Sequence, residues 1–152
     1  METYEDLYKR LKANPKAFNA KLTEDCRVGD GDVLPSLQGQ TQTYMEWGYI
    51  HAAAEADARR AKYEFQEDVP SIFREKAEDA CKNAGNKITI GNVQDQLVLL
   101  DTYRDARATF IQAEQFALCC KHAVEAMRHR LYSLQSLNSR QKSELNSLGR
   151  EN

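Results

Sequence analysis

Arg59, Arg60 and Lys62 stand within one helical turn of each other, beside Tyr63 and Phe65. Cations next to aromatic rings suit single-stranded nucleic acid, because the cations neutralise phosphates while the rings stack on unpaired bases. A second basic set, Lys121, Arg128 and Arg130, follows near the C-terminus. Each set has a plainer reading. The first is also a solvated helix face paired with Glu55, Asp57, Glu64 and Glu67. The second also suits interhelical salt bridges beside an apolar seam. Catalysis finds little support. His51 lies on an apolar seam and reads as a satisfied core histidine. His122, His129 and Cys119 share an open helix face that lacks a fourth zinc ligand. Asp30-Gly31-Asp32 has the opening of a calcium loop without its later acidic ligands, so a turn is expected there. The chain has no Gly-x-Ser-x-Gly, no P-loop and no His-Glu-x-x-His. These residues point to a protein that binds, with no catalytic residues, no cofactor and no metal.

Helices must position them. Tyr4, Leu7, Tyr8 and Leu11 fall at i, i+3, i+4, i+7, predicting a short amphipathic helix over 3–13 that Asn14-Pro15 ends. Lys16 to Leu22 allows another turn or two. Thr23 to Thr43 reads as loop, punctuated by Gly29, Gly31, Pro35 and Gly39. A long helix is predicted from about 40–43 onward. Its seam of Tyr44, Trp47, His51, Ala54, Ala58, Ala61 and Phe65 alternates steps of three and four. Asp68 and Pro70 predict a kink or break. Helical character resumes from Ser71 to Cys81, with Ile72, Phe73, Ala77, Ala80 and Cys81 apolar, and Gly85 is a left-handed cap. Thr89 caps a short helix that buries Val93, Leu97 and Leu100, with a brief β-like bridge over 87–90 as the rival.

The last helix carries the longest pattern. Tyr103, Ala106, Phe110, Ala113, Ala117, Cys120, Val124, Met127, Leu131 and Leu134 again step by three and four, a seam of about 48 Å. Ile111 and Leu118 form a second stripe that needs its own cover, from the N-terminal helix or from another subunit, with the N-terminal arm the favoured cover. The expected fold class is all-α: a long two-helix antiparallel hairpin over 44–137, a short N-terminal helix and loop arm over 1–43, and a polar tail over 138–152 that frays. The leftover stripes close an oligomer.

Composition fits. The 152 residues are 41% hydrophobic and 29% charged with a net charge of -2, which suits one domain. No stretch approaches the ~20 apolar residues of a membrane span, and the N-terminus lacks a signal-peptide pattern. Four cysteines without a Cys-x-x-Cys pair fit reduced thiols in a soluble, intracellular protein. The charge is uneven: residues 1–120 balance at -5 and residues 121–150 at +4, a basic end on an acidic body.

Two segments add a family resemblance. The run Glu55-Ala56-Asp57-Ala58-Arg59-Arg60-Ala61-Lys62-Tyr63-Glu64-Phe65 resembles the UvsY-type recombination mediators of tailed bacteriophages. These carry a basic–Ala–basic triplet followed by apolar, acidic and aromatic residues, matched here by Arg60-Ala61-Lys62 and Tyr63-Glu64-Phe65. The stretch from Cys120 to Tyr132 is similar to the family's second-helix segment, with its apolar–acidic–Ala–apolar core (Val124 to Met127) and its basic pair Arg128 and Arg130. Gly85-Asn86-Lys87-Ile88-Thr89 resembles the turn of related phage proteins. The resemblance covers roughly residues 44–137. It implies helical-hairpin oligomers in the cytoplasm of an infected bacterial host. These bind single-stranded DNA and help load a RecA-like recombinase in place of single-strand-binding protein. It also implies Arg60 and Lys62 as DNA contacts, with Arg128 and Arg130 as a second pair; Arg59 joins them from its position alone. The acids Glu64, Glu67 and Asp68 would weaken each site and make binding depend on several subunits together. A hairpin adaptor that binds protein only is the alternative.

Overall fold

The computed structural model describes residues 2–27 and 33–148, all helical apart from short connections. The expected turn at Asp30-Gly31-Asp32 lies outside the described residues. Two compact units divide the chain: one made of Met1–Ala53 with Leu118–Asn152, the other of Ala54–Ala117.

Helix α1 (Tyr4–Ala13) starts at a capping box in which Thr3 Oγ1 accepts from the Asp6 N–H at 3.1 Å and the Asp6 carboxylate accepts from the Thr3 N–H. Asn14 ends α1 and begins α2 (Pro15–Cys26), its Oδ1 accepting from the N–H groups of Lys16 and Ala17. Pro15 is harmless as the first helical residue, because its missing N–H would have no intrahelical partner anyway. Helix α2 therefore runs past Leu22 to Cys26.

The long third helix, α3 (Val33–Tyr63), overturns the expectation of a loop up to Thr43. Pro35 falls in its first turn, where a proline is tolerated. Its buried positions Val33, Gln40, Trp47, Ala54 and Ala61 recur every seven residues, so the seam begins well before Tyr44, at Val33. Gln40, fully buried, disguises it. Its Nε2 donates to the Met127 carbonyl at 3.2 Å, and its Oε1 has no partner among the described residues. In the middle of the seam Ile50 is fully buried, whereas His51 is only half-buried.

In the first unit, Leu7, Leu11, Phe18, Trp47, Ile50, Cys120, Met127 and Leu134 form the core. Phe18 meets Trp47 edge-on at 5.3 Å, and the indole N–H donates to Asp25 at 2.8 Å. Lys21 bridges Asp25 and Glu46 at 3.1 and 2.6 Å. Burial works to lower the Lys21 pKa, but the hydrogen bonds to Glu46 and Asp25 prevail and hold it above the ordinary lysine value. The N-terminal helices are thus docked around Trp47. Within this unit they leave Leu118, one member of the second stripe, 51% exposed, so the expected cover of that residue is not made.

In the second unit, α3 passes into a π-helical turn (Glu64–Asp68), where the Val69 N–H reaches back to the Glu64 carbonyl. Pro70 has no N–H and its ring would crowd the carbonyl four residues before it, so the widened turn absorbs the misfit without breaking the helix. Helix α4 (Val69–Asn83) follows. Gly85 at φ +71° closes it, with bonds from the Gly85 N–H to Lys82 O and from the Asn86 N–H to Cys81 O. Ile72, expected on the apolar side, is exposed, while Ala77 and Cys81 are buried. Thr89 caps α5 (Ile90–Leu99), accepting from the Asn92 N–H, and no strand forms among the described residues. Val69, Ala77, Cys81, Val93, Leu97, Tyr103 and Ala106 make up this core.

The final helix, α6 (Asp101–Leu148), continues well beyond Leu134. The expected fraying from 138 is overturned as far as 148. Residues 139–147 are exposed yet helical, a stretch rich in good helix formers with no proline or glycine to stop it.

Candidate nucleic-acid interface

Arg59, Arg60, Lys62 and Tyr63 occupy the last turn of α3, immediately before the π-helical turn. All four are exposed, Tyr63 by 61%. Arg59 bonds Glu55 one turn earlier at 3.0 Å, and Arg60 lies 3.8 Å from Asp57. These are solvated pairs on one helix, each worth only a few tenths of a kcal/mol, about 0.3–0.5. A phosphate can displace either carboxylate. Lys62 makes no ion pair among the described residues.

A groove of about 230 Å³ lies beside this turn within the second unit, lined by Glu55, Ala58, Arg59, Lys62, Phe110, Glu114 and Ala117. The structure thus brings Arg59 and Lys62 to one concavity and leaves Arg60 outside it. Phe65 is withdrawn from the surface. Its ring stacks on Phe110 at 5.8 Å and tilts against Tyr103 at 5.0 Å, so of the two aromatics beside the cations only Tyr63 presents a ring to solvent. Phe110 and Glu114 complete the site. The spacing marks Phe110 only as a seam residue and does not mark Glu114 at all, because their pairing with the Arg59 turn depends on which stretch of α6 faces it.

In the second basic set Lys121 is exposed, whereas Arg128 and Arg130 are engaged within the first unit. Arg128 donates to the Tyr44 hydroxyl at 3.4 Å. Arg130 is half-buried and donates to the Arg27 carbonyl at 2.7 Å, fastening α6 to the end of α2. Burial pushes the neighbouring Cys26 thiol up, and the Arg130 charge partly offsets that shift. The Cys120 thiol is pushed up to about 12, chiefly by burial. Among the described residues no group of three or more His, Cys, Asp or Glu could hold a metal ion. Nor is any helix among them long and apolar enough to cross a membrane.

The second unit has another groove, of about 470 Å³, between the π-helical turn, α4 and α5. Ile88, Ile90, Val93 and Leu97 give it an apolar side, and the ion pair of Arg74 with Glu78 at 2.9 Å lies along it.

No protein-family model matches the chain, and no curated protein or solved structure matches it either.

Proposed function

We propose that the protein binds single-stranded DNA without a chemical step and acts as a phage recombination mediator. In this reading it helps a RecA-like recombinase replace single-strand-binding protein, in the cytoplasm of an infected bacterial host. The observation that carries the DNA-binding part is the convergence of Arg59 and Lys62 on a groove that Phe110 helps to line, with Tyr63 exposed in the same turn. The mediator part rests on the resemblance to the UvsY-type family; the antiparallel hairpin and the homo-oligomer rest on the heptad seams and the leftover apolar stripes as well as on that resemblance. Arg60 is a peripheral phosphate contact in this reading. Arg128 and Arg130 take part only if DNA displaces Tyr44 and the Arg27 carbonyl.

Fluorescence anisotropy of a labelled single-stranded oligonucleotide, beside duplex of equal length at low and moderate salt, tests the proposal. Salt-sensitive binding that prefers the single strand supports it, and a recombinase-loading assay then tests the mediator role. Absence of binding at low salt by folded protein rejects it. A second reading, an adaptor that binds only protein, is favoured by the 470 Å³ groove with its apolar side on α5. Retention on single-stranded-DNA resin separates the two, because an acidic adaptor washes through.

A further inference from the structure

The groove beside Arg59 and Lys62 has a composition that phosphate binding alone does not explain. Two of its lining residues are carboxylates, Glu55 and Glu114. Glu55 is engaged by Arg59. Glu114 sits on α6, exposed, with no ion pair among the described residues. Apart from Arg59 and Lys62 the rest of the lining is apolar, made by Ala58, Ala117 and Phe110. A site for the sugar–phosphate backbone alone has no use for an apolar floor, and a carboxylate there would repel the phosphates. A site for a base has a use for both.

We infer that this groove receives one unstacked nucleobase bearing an exocyclic amino group, which donates to Glu114 while Arg59 and Lys62 hold the flanking phosphates. The volume of about 230 Å³ is some eight times a water's share of the liquid, room for a single base lying against Phe110. An ionised carboxylate only accepts hydrogen bonds, so it selects a donor edge. Cytosine offers its N4 amino group to such an acceptor. Thymine's one N–H lies between two carbonyl oxygens that repel a carboxylate. The groove therefore discriminates cytosine from thymine, two pyrimidines of similar size. This inference rests on the proposed single-stranded-DNA reading and adds a base preference to it.

The test compares anisotropy titrations of oligo-dC and oligo-dT of equal length at one salt concentration, for wild type and for Glu114→Gln. Wild type should bind oligo-dC about 10-fold more tightly, the order expected for a hydrogen bond to a charged group. In Glu114→Gln the ratio should collapse towards one, since the amide is neutral and can also donate to thymine O4. Circular dichroism should show the helical content unchanged, as Glu114 is exposed. Equal binding of the two oligonucleotides by wild type overturns the base pocket and leaves the DNA reading standing. A dC preference that survives Glu114→Gln overturns the role of Glu114. Binding of neither oligonucleotide overturns the DNA reading itself.

Discussion

The pairing of Arg59 and Arg60 with acids on their own helix predicts an unequal response to salt. For single strands, the slope of log affinity against log salt is about -0.7 for each phosphate neutralised by an unpaired cation. Three such cations would give about -2.1 per subunit, an ~18-fold loss of affinity over a fourfold rise in salt. The structure argues for less. Arg59, bonded to Glu55 at 3.0 Å, exchanges a carboxylate for a phosphate when it binds and releases little counterion. Arg60, 3.8 Å from Asp57 and with an 80% exposed side chain, is held more loosely. Lys62 makes no ion pair among the described residues and contributes a full increment. We therefore predict that Lys62→Ala reduces the slope by about 0.7, Arg60→Ala by less and Arg59→Ala least. Glu55→Gln should steepen the wild-type slope by releasing Arg59. Anisotropy titrations at several salt concentrations between roughly 50 and 200 mM measure each slope. The reasoning is refuted if Arg59→Ala flattens the slope as much as Lys62→Ala does, or if Lys62→Ala leaves it unchanged.

Leu11→Ala, at a fully buried position in the first unit, should cost about 3 kcal/mol in urea unfolding; a loss under about 1 would mean that α1 is not docked as described. In native protein a thiol reagent should modify exposed Cys119 and Cys26 quickly, and buried Cys81 and Cys120 only on unfolding. Mass mapping of the early products checks this, and early labelling of Cys120 would contradict its burial. Because the folded-state pKa of Lys21 is raised, its contribution to stability is complete below the unfolded value near ~10.4 and is lost as pH rises through the folded value. The Tm gap between wild type and Lys21→Met should accordingly be constant through neutral pH and narrow only at strongly alkaline pH, and narrowing near neutrality would be inconsistent with the shift.

Much of this fold is legible in residue spacing, because a helix buried along one stripe must repeat its apolar positions. Along α6 Tyr103, Ala106, Ala113, Cys120, Met127 and Leu134 are buried as the spacing implies, with Ala123 taking the buried place expected of Val124, and the caps at Thr89 and Gly85 follow from local chemistry alone. The start of α3 does not. Gln40 occupies a core position with a polar side chain, and Met127, whose carbonyl and sulfur accept from its Nε2, makes that tolerable. Such a partner, 87 residues away in sequence, leaves no local mark. Pro35 and Gly39 then resemble loop residues although a first turn accepts one and an exposed helix face the other. The docking of α1 and α2 on Trp47, with Leu118 left exposed, is likewise a matter of tertiary partners, decided by Phe18, Lys21 and Asp25. At the candidate site, the cations and their i-3 and i-4 acids are visible in the sequence. The groove they line is not, since it depends on which part of α6 supplies Phe110 and Glu114.

The division of the chain into units has a consequence for the order of synthesis. The second unit is one continuous segment, Ala54–Ala117, whereas the first joins both ends, Met1–Ala53 and Leu118–Asn152. A chain leaving the ribosome can complete the second unit as soon as residue 117 is clear, while Leu11, Trp47 and Ile50 still await Cys120, Met127 and Leu134. The residues made first are thus among the last to be buried, and their apolar surfaces stay open to chaperones or to one another until the final helix arrives. Pulse-labelling hydrogen exchange during refolding should find amides of 69–113 protected before those around Leu11 and Met127, because their contacts close shorter loops. Simultaneous protection of both sets would mean that the two units fold as one.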